Sequence, residues 1–374
     1  MYDVIVIGGG IVGLSVAYHS VAAGAKTLLV DRTDPGRATA AGAGILAPET
    51  SAIESDAWFR LAVAAVDYYP TLIAQLEADA VGSTGYAATE ALLVAVSADE
   101  DAAFAAARAR MLARQLQYGR PTPEQVTPIN AALARQLFAP LALIRAGLRV
   151  RRAARVDGRL LAGALERAAD TRGLLRRTAS VDQILLQGET ANGVVIAGET
   201  LIAGSVVIAG GAWSAAFESQ LHVRLPITPQ RGQIIHLSLP GVDTTAWPVI
   251  LPFHGHYLVP WPDQRVVVGA TREFVGFEPH TTVAGIHEVL AEALRVAPGL
   301  ADATIGEVRV GLRPSTPDSL PVLGRVPTAR NVYLATGHGA TGLQVGPYSG
   351  KLIADLALGQ TIEVDLDPFA SSRF

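Results

Sequence analysis

The chain has 374 residues, more than one hydrophobic core usually supports, so its length predicts two domains. Hydrophobic residues make up 50% and charged residues 17%, and the net charge of −4 gives no reason to expect nucleic acid or an anionic membrane as a partner. No apolar run reaches the roughly 18 residues of a membrane-spanning helix, and the absence of cysteine excludes disulfides and thiolate metal sites. We therefore expect a cytoplasmic protein.

The first 31 residues carry the pattern of a dinucleotide-binding unit. An apolar run at residues 4–7 predicts a buried parallel strand, and the glycines that follow have the spacing G-x-G-x-x-G, at Gly8, Gly10 and Gly13. In such a turn the first glycine permits the bend, the second lets the backbone approach a pyrophosphate, and the third lets the helix pack on the strand. The helix that begins there directs free N–H groups and a partial positive charge at the phosphates.

A second apolar run, residues 28–30, ends at Asp31. This carboxylate stands 18 positions after Gly13, where it can accept a hydrogen bond from a ribose hydroxyl. Strand, helix, strand and acid in register favour a dinucleotide site over a glycine-rich structural turn. The next segment, residues 38–49 (ATAAGAGILAPE), is small and glycine-rich, so its backbone can come close to a flat ligand.

The middle of the chain predicts a second domain. Residues 54–80 and 98–118 have helical patterns, and residues 85–97 between them predict a pair of strands, so the chain leaves the first domain near residue 85. Residues 153–173 predict a further helix. Several short strands then follow over residues 181–211, and the last ends in a glycine pair expected to contact the dinucleotide.

The C-terminal part predicts a second sheet and a second glycine loop. An alternating pattern interrupted by prolines over residues 225–276 predicts an antiparallel sheet, and residues 282–297 predict a helix. A strand–glycine loop–helix unit at residues 331–359 places a second helix N-terminus near Gly342. If both terminal units belong to one domain, the middle of the chain is an insertion and the two domains are interleaved.

Together these segments resemble the D-amino acid oxidase superfamily of FAD enzymes, most closely its glycine oxidase and bacterial D-amino acid oxidase branch. The resemblance covers nearly the whole chain. It rests on an ordered set of motifs: the Gly8–Gly10–Gly13 fingerprint, ATAAGAGILAP, VVIAGGAWS, PQRGQ, HYLVPW with VVVGATRE, GLRPSTPDSLPVLG and TGHGATGLQVGP. It implies an α/β fold, in which a doubly wound, Rossmann-like FAD-binding domain (residues 1–84, 146–221 and 305–374) is interleaved with an antiparallel-sheet substrate domain (residues 85–145 and 222–304).

The resemblance also implies that FAD is the cofactor, and without cysteine no cysteinyl link to it can form. The backbone of Val181 would contact adenine, and residues 337–343 would surround the N1–C2=O edge of the flavin, where N–H groups and a helix dipole stabilise the negative charge of the reduced ring. The residues expected to bind FAD are Gly8, Gly10, Ile11, Val12, Gly13, Asp31, Arg32, Thr39, Ala41, Gly42, Gly44, Ile45, Leu46, Val181, Gly210, Gly211, Trp213, Gly337, His338, Gly339, Thr341, Gly342 and Leu343.

On the substrate side, the resemblance assigns a carboxylate site to Arg313 and Tyr257. A guanidinium fork in the Gly-Leu-Arg-Pro turn can hold a carboxylate through two hydrogen bonds, and its alternative role is structural, as a carbonyl cap or as the partner of Asp318. Tyr257 would offer its hydroxyl to the same carboxylate, although tyrosines at strand ends are also common core residues.

Arg272 is a departure from the glycine oxidase pattern, which has an apolar or small side chain at this position. It can pair with Glu273 or Glu278, or it can face the pocket and favour an acidic substrate. The histidines of the site region, His254, His256 and His338, are more typical of packed or hydrogen-bonded side chains than of catalytic bases. No third ligand accompanies the first two, so we expect no metal site.

The activity that the resemblance implies is oxidative deamination of glycine or small D-amino acids. Hydride transfer from the substrate Cα to flavin N5 would give an imine, then a 2-oxo acid and ammonia, with O₂ as the acceptor that becomes H₂O₂. A sarcosine or N-methyl amino acid oxidase is one alternative. Another is a D-amino acid dehydrogenase with a quinone or carrier acceptor, because Ala340 stands where the glycine oxidase pattern has a cation. Arg313 and Tyr257 disfavour a non-enzymatic nucleotide-binding module, and assembly into a homo-oligomer is left open.

Overall fold

Two β-sheets organise the chain, which the computed structural model describes from residue 1 to residue 374. The strands are β1 (Tyr2–Ile7), β2 (Thr27–Asp31), β3 (Ile45–Leu46), β4 (Tyr86–Ala95), β5 (Val126–Pro128), β6 (Ala146–Val156), β7 (Leu175–Thr178), β8 (Gln183–Gln187), β9 (Thr190–Ile196), β10 (Glu199–Ile208), β11 (Thr228–Ser238), β12 (Val249–Leu251), β13 (Tyr257–Trp261), β14 (Arg265–Gly269), β15 (Thr304–Ser315), β16 (Val322–Arg325) and β17 (Val332–Thr336). The helices are α1 (Ile11–Ala22), α2 (Asp56–Ala78), α3 (Asp101–Tyr118), α4 (Ala131–Leu137), α5 (Gly158–Thr171), α6 (Glu218–Leu221), α7 (Val283–Val296) and α8 (Gly342–Ala357). None of these helices is both long enough and apolar enough to cross a membrane.

The first sheet has a parallel centre. Its order is β16–β17–β10–β1–β2–β7, and the pairs from β17 to β7 are parallel, while β16 is antiparallel to β17. The strand pair β8–β9 continues antiparallel from β10. The elements from both ends of the chain therefore meet in one sheet, as the two strand–glycine–helix units predict.

The central strand β1 is apolar at successive positions because both of its faces are buried. Val4 and Val6 pack in a core with helices α1, α2, α5 and α8, whereas Ile5 and Ile7 pack in a second core with residues of β8 and β9. Parallel strands covered on both faces typically show such continuous apolar runs. The prediction of a doubly wound α/β domain with a second sheet is confirmed, with helices on one face of the sheet and the β8–β9 pair on the other.

The second sheet has the order β15–β11–β14–β13–β12–β4–β6–β3, with β5 attached to β6. All its pairs are antiparallel except β12 with β4. Its faces are covered by different helices, α4 and α7 on one side and α3 on the other.

Three local predictions are wrong in detail. Residues 86–95 form one long strand, β4, rather than a strand pair, because β4 pairs along its length with the distant β6. The helix predicted from residue 153 begins at Gly158, where Asp157 caps it, and residues 153–156 complete β6. Residues 199–208, within the stretch expected to form several short strands, are the single long strand β10.

The division into two domains stays a proposal, and sheet membership refines it. Strands β6 and β15 belong to the second sheet, although the ranges proposed from the sequence assign residues 146–156 and 305–315 to the FAD-binding domain. Boundaries that follow the sheets would lie near residues 157 and 316.

Candidate active site

A cavity of about 670 Å³ lies where elements of the two sheets meet. We call it the main cavity. Its walls come from the turn between β1 and α1, the loop before β3, the segment between β10 and α6, strands β11, β13 and β15, and the start of α8. Most of the predicted site residues line it: Gly8, Gly10, Ile11, Val12, Asp31, Arg32, Thr39, Ala41, Gly42, Gly44, Ile45, Val181, Gly210, Gly211, Trp213, Tyr257, Arg272, Arg313, His338, Gly339, Gly342 and Leu343.

Four predicted residues lie behind the wall of the main cavity. Gly13 lies where a Cβ atom would overlap the carbonyl oxygen of Gly8, so its role is helix–strand packing. Leu46 is fully buried in the core. Gly337 has a positive φ of 71°, a conformation that glycine adopts at low cost, and Thr341 donates its hydroxyl to the His338 carbonyl at 2.9 Å.

The glycine turn after β1 brings backbone unusually close to backbone. Gly8 has φ of 108°, and a Cβ atom there would stand 2.5 Å from the Ala209 carbonyl oxygen. Gly10 is the N-cap of α1 and offers no side chain to the first turn, which contains no acidic residue. Thr39 accepts a hydrogen bond from the Ile11 N–H through Oγ1 at 2.9 Å. The helix therefore begins at the cavity with its positive end available to an anion.

Asp31 lies beside this turn. A Cβ atom on Gly9 would stand 2.8 Å from its Oδ2. The same oxygen accepts a hydrogen bond from Arg37 at 2.7 Å. The neighbouring Arg32 pairs with Asp34 instead. Asp31 is held at the cavity wall by Arg37 while its other oxygen makes no hydrogen bond within the chain.

The loop before β3 lines the cavity mainly with glycines and small side chains. Gly42 packs against Leu343, whose Cδ1 would be 2.6 Å from an added Cβ, and Gly44 has a φ of 74° against the carbonyl of Val156. Gly158, at the start of α5, packs equally closely against the Thr39 carbonyl. The side chains that this loop adds to the cavity wall are mostly small, as at Ala38, Ala41 and Ala43, so a flat ring can approach its backbone.

The C-terminal unit adds a second helix start to the same cavity. Helix α8 begins at Gly342 without a capping side chain and without an acid in its first turn, and Gly342, Leu343 and Gln344 line the cavity. His338, just before it, is buried, and its Nε2 has no hydrogen-bond partner. Burial lowers the pKa of His338 to about 3, so the imidazole is neutral.

Arg313 is a cation without an anionic partner. It lies on β15 opposite Gln230 of β11, and its Nη1 donates to the Gln230 Oε1 at 3.3 Å and to the Thr271 carbonyl at 2.9 Å. Asp318, the alternative partner considered from the sequence, pairs with Arg373 at 2.7 Å. Burial lowers the pKa of Arg313, as expected for a guanidinium that no carboxylate compensates.

Tyr257 begins β13 and lines the cavity beside Arg313. A Cβ atom on Gly269 would stand 3.1 Å from the Tyr257 hydroxyl, so the glycine in β14 leaves the space that the phenol fills. Burial raises the pKa of Tyr257, and the charges of Arg313 and Arg272 offset only part of that effect. The hydroxyl is therefore a neutral donor at physiological pH.

Arg272 lies on the same cavity wall, after the end of β14. Its guanidinium passes over Gly255, where a Cβ atom would overlap Nη1. It forms no ion pair with Glu273 or Glu278, because Glu273 pairs with Arg231. The structure thus places Arg272 toward the cavity, as one of the two roles considered from the sequence requires.

His254 and His256 lie in the loop before β13, outside the cavity lining. His254 Nε2 lies 2.8 Å from Asp99 Oδ2 and its Nδ1 3.3 Å from a Glu292 carboxylate oxygen. His256 Nδ1 lies 3.2 Å from the His254 carbonyl oxygen, and its Nε2 lies 3.3 Å from Glu288 without forming a hydrogen bond. The contacts of His254 agree with a hydrogen-bonded role.

Comparison with known families shows which family the chain belongs to. The model described as FAD-dependent oxidoreductase, of the DAO family, matches residues 3–356. The chain belongs to this family. Its cofactor is FAD, and the predicted resemblance to the D-amino acid oxidase superfamily is confirmed.

Relatives of this family match the chain along almost its whole length. The uncharacterised oxidoreductase YurR of Bacillus subtilis (strain 168) is 37% identical over 375 residues, which are 99% of this chain and 98% of the relative. A glycine oxidase of Pseudomonas aeruginosa is 30% identical over 98% of each chain. The solved structure of iminodiacetate oxidase (IdaA) from Chelativorans sp. BNC1 has a TM-score of 0.93 and 39% identity over 98% of each chain.

The residues present fit FAD. The close glycine turn before α1 suits a pyrophosphate, the loop of glycines and small residues before β3 suits a flavin ring, and the start of α8 suits the ring edge that becomes negative on reduction. The unpartnered Nε2 of His338 marks a buried polar atom beside that edge that the chain itself leaves unsatisfied. The assignment of individual contacts to FAD stays a proposal.

Sequence reasoning missed two residues of the site. Gly232, inside the PQRGQ motif, lies under the Arg313 guanidinium, and a Cβ atom there would overlap it. A glycine within a strand was the available signal, because it often marks a close approach. Arg37, the partner of Asp31, carries no such signal, because its contact depends on the path of the loop.

Proposed function

We propose that the protein is an FAD-dependent amino acid oxidase acting on glycine or a small D-amino acid. Arg313 is the observation that carries the proposal: it is a half-buried guanidinium that lines the cavity, and its hydrogen bonds within the chain go only to neutral acceptors. Removing one partner of a buried ion pair is costly, so a cation left unpaired in this way calls for an anionic ligand. An amino acid carboxylate matches the planar fork of the guanidinium.

The chain's own groups bind and orient the substrate. Arg313 takes the carboxylate, and the neutral hydroxyl of Tyr257 donates a further hydrogen bond to it. The carboxylates that line the main cavity, Asp31, Asp34 and Asp182, belong to the first sheet and the segments beside it, away from this pair. With no carboxylate beside this pair to hold an ammonium group, the proposal has the substrate amine lose its proton to solvent and bind neutral, and positioning of the Cα–H bond supply much of the rate acceleration.

Bound FAD would supply the two-electron oxidation: it would take the substrate Cα hydrogen as a hydride, and the two electrons would pass to O₂, which with two protons would become H₂O₂. The substrate becomes an imino acid, and water converts it to the 2-oxo acid and ammonia.

A second candidate is the oxidation of an N-substituted glycine. It is supported by the 39% identity over 98% of each chain with the iminodiacetate oxidase, which exceeds the 30% identity with the glycine oxidase. The site chemistry is the same in both cases: a carboxylate on Arg313 and a Cα–H bond held toward the flavin. A dehydrogenase with another electron acceptor is the third candidate, since Ala340 supplies no cation to the cavity wall.

Anaerobic flavin reduction tests the proposal. The purified protein is expected to be yellow and to release its flavin to the supernatant on acid precipitation. Glycine, sarcosine, D-alanine and D-proline are then mixed with it under argon, with L-alanine as the control. We expect bleaching of the visible flavin band by at least one compound of the panel and not by L-alanine. Bleaching by L-alanine alone contradicts the stereochemical part of the proposal, and a colourless protein contradicts the presence of bound FAD.

Exposure of the reduced protein to air distinguishes an oxidase from a dehydrogenase. An oxidase is re-oxidised rapidly and forms H₂O₂, whereas a dehydrogenase needs another electron acceptor.

A further inference from the structure

We propose that Arg272 forms a second anion subsite in the main cavity, so that the preferred substrate is an amino acid carrying two carboxylates. The inference rests on the proposed function, because it names the substrate class of the same site. The shared chemistry is a dicarboxylate with an oxidisable amine. The second carboxylate can be attached through the side chain, as in an acidic D-amino acid, or through the nitrogen, as in an N-carboxymethyl glycine.

The first support is the absence of a partner for Arg272. It is exposed within the cavity wall and forms no ion pair with any carboxylate of the chain. Most of the arginines that line or flank the cavity are paired: Arg32 with Asp34, Arg37 with Asp31, and Arg231 with Glu273. Arg272 and Arg313 are the two lining arginines that have no carboxylate partner.

The second support is that the nearest acid is committed elsewhere. Glu273 Oε1 accepts hydrogen bonds from the Thr271 hydroxyl at 2.7 Å and from Gln233 Nε2 at 2.8 Å. Its Oε2 is taken by Arg231, which also donates to the Glu278 carbonyl. The carboxylate that follows Arg272 in the sequence therefore turns away from it, and the segment around Arg272 is fixed by these contacts.

The third support is the proximity of the two free cations. Arg272 and Arg313 line the same cavity, and no acid of the second sheet lines it. Burial is the main cause of the lowered pKa of Arg313, and the charge of Arg272 adds to it, while the same charge offsets part of the burial-driven rise in the pKa of Tyr257. Two like charges facing one cavity repel each other unless a ligand compensates both. A dianion satisfies both guanidinium groups, whereas glycine satisfies one.

The fourth support is a built space for the Arg272 side chain. Gly255 lies under its guanidinium, and any Cβ atom at this position would overlap Nη1. Gly255 also has a φ of 83°, which favours glycine. Both features leave room for the Arg272 guanidinium at the rim of the main cavity, where the side chain lines the cavity and stays exposed.

The test compares mono- and dicarboxylates in three proteins. The holoenzyme, Arg272→Met and Arg159→Met are mixed under argon with glycine, sarcosine, D-alanine, D-aspartate, D-glutamate and iminodiacetate, and the flavin reduction rate is divided by the half-saturating concentration. Methionine keeps the apolar length of arginine and removes the charge. Arg159 is the matched control, since it is an exposed arginine outside the main cavity that pairs with Glu307.

We expect at least one dicarboxylate to exceed glycine and sarcosine by on the order of 10- to 100-fold, the value of one charge-assisted hydrogen-bonded contact. In Arg272→Met this quotient should fall strongly for the dicarboxylates and less for the monocarboxylates, so most of the preference for dicarboxylates is lost. Arg159→Met should keep the wild-type preference. Preference for D-aspartate or D-glutamate places the second carboxylate on the side chain, and preference for iminodiacetate places it on nitrogen. A wild-type protein that reduces fastest with a monocarboxylate, or a ratio unchanged in Arg272→Met, overturns the inference.

If no amino acid reduces the flavin, the proposed function fails, and a binding measurement then decides the subsite. Malonate and acetate are titrated against the flavin spectrum of the same three proteins. Tighter binding of malonate than of acetate, lost in Arg272→Met alone, supports a dianion subsite. Equal affinities overturn it.

Discussion

Two arginine-lined cavities of this protein differ in how their charges are balanced. The main cavity presents Arg313 and Arg272 without carboxylate partners. A second cavity of about 520 Å³, beside β11, β14 and β15, also contains several arginines, and each of them has an acidic partner. These pairs are Arg159 with Glu307 at 2.9 Å, Arg309 with Glu307 at 2.8 Å, and Arg265 with Asp263 at 3.1 Å and Asp157 at 3.7 Å.

The comparison separates structural arginines from ligand-binding ones. In the second cavity the arginine charges are compensated within the chain, and its histidine, His236, is held neutral because burial and the charges of Arg309 and Arg265 lower its pKa to about 4. In the main cavity the compensation is missing where the substrate carboxylate is expected. Unpaired charge therefore distinguishes the functional cavity better than the number of arginines does.

The largest expected effect follows from removing the unpaired charge at Arg313. Arg313→Ala eliminates a charge-assisted bidentate contact, so kcat/KM is expected to fall by about 2–4 kcal/mol, roughly 30- to 1,000-fold. The flavin-to-protein absorbance ratio should stay that of wild type. Arg313→Lys keeps the charge but cannot form two parallel hydrogen bonds, so its kcat/KM should lie between those of wild type and Arg313→Ala. Near-normal activity of the alanine variant removes Arg313 from the substrate site.

A smaller effect is expected from the pair that fixes the wall of the main cavity. Arg231 holds the pKa of the Glu273 carboxyl at about 2, below its unfolded value. This carboxylate therefore contributes stability that is complete above the unfolded pKa and is lost as pH falls toward 2. Glu273→Gln should lower the free energy of unfolding by about 1–2 kcal/mol at neutral pH. In this variant the free energy of unfolding should also decrease less between about pH 4.5 and 2 than it does in wild type. Chemical denaturation of wild type and Glu273→Gln at several pH values measures both effects. If the free energy of unfolding depends on pH in the same way in the two proteins, Glu273 does not contribute to stability through its pair with Arg231.

Tyr257→Phe removes one neutral hydrogen bond and keeps the ring that packs beside Gly269. We expect kcat/KM to fall by about 1 kcal/mol, roughly fivefold, since the phenol donates without charge. Steady-state kinetics on the best substrate of the panel measure this effect. A loss as large as that of Arg313→Ala assigns Tyr257 a role beyond carboxylate binding.

The smallest effect is expected in the second cavity. Arg159→Met breaks an exposed pair with Glu307, and such pairs contribute at most about 0.5–1 kcal/mol to stability. kcat/KM should remain within about twofold of wild type, which corresponds to a change in activation free energy of less than roughly 0.6 kcal/mol. A large kinetic defect in this variant would show that charge pairing does not separate the two cavities.

The sequence predicted the parts of the fold whose signals are local. The glycine turn between β1 and α1 and the start of α8 each depend on a few neighbouring residues, so their patterns could be read directly. Strand β4 was missed as a single strand because its partner, β6, lies some 60 residues away, and pairing at that distance leaves no periodic mark in either segment. The alanine-rich start of residues 153–173 suited a helix equally well until that pairing was known.

In the candidate site, too, some features could be predicted from local sequence and others depend on distant contacts. Glycines and the Arg313–Tyr257 pair could be named from motifs, but the state of Arg272 could not, because Glu273 and Glu278 were available partners next to it in the sequence. Only the folded chain shows that Glu273 is taken by Arg231, Gln233 and Thr271. Pairing of charges across strands is a property of register, which a single sequence does not display.

Acetate binding tests most directly whether the unpaired guanidinium of Arg313 binds a carboxylate in the FAD cavity. Acetate carries the carboxylate and cannot be oxidised as an amine, so binding is measured without turnover. The visible flavin spectrum of the wild-type protein should shift saturably on titration with acetate, and Arg159→Met should behave alike. Arg313→Ala should weaken this binding by at least about tenfold. Equal acetate affinity in wild type and Arg313→Ala would contradict the account.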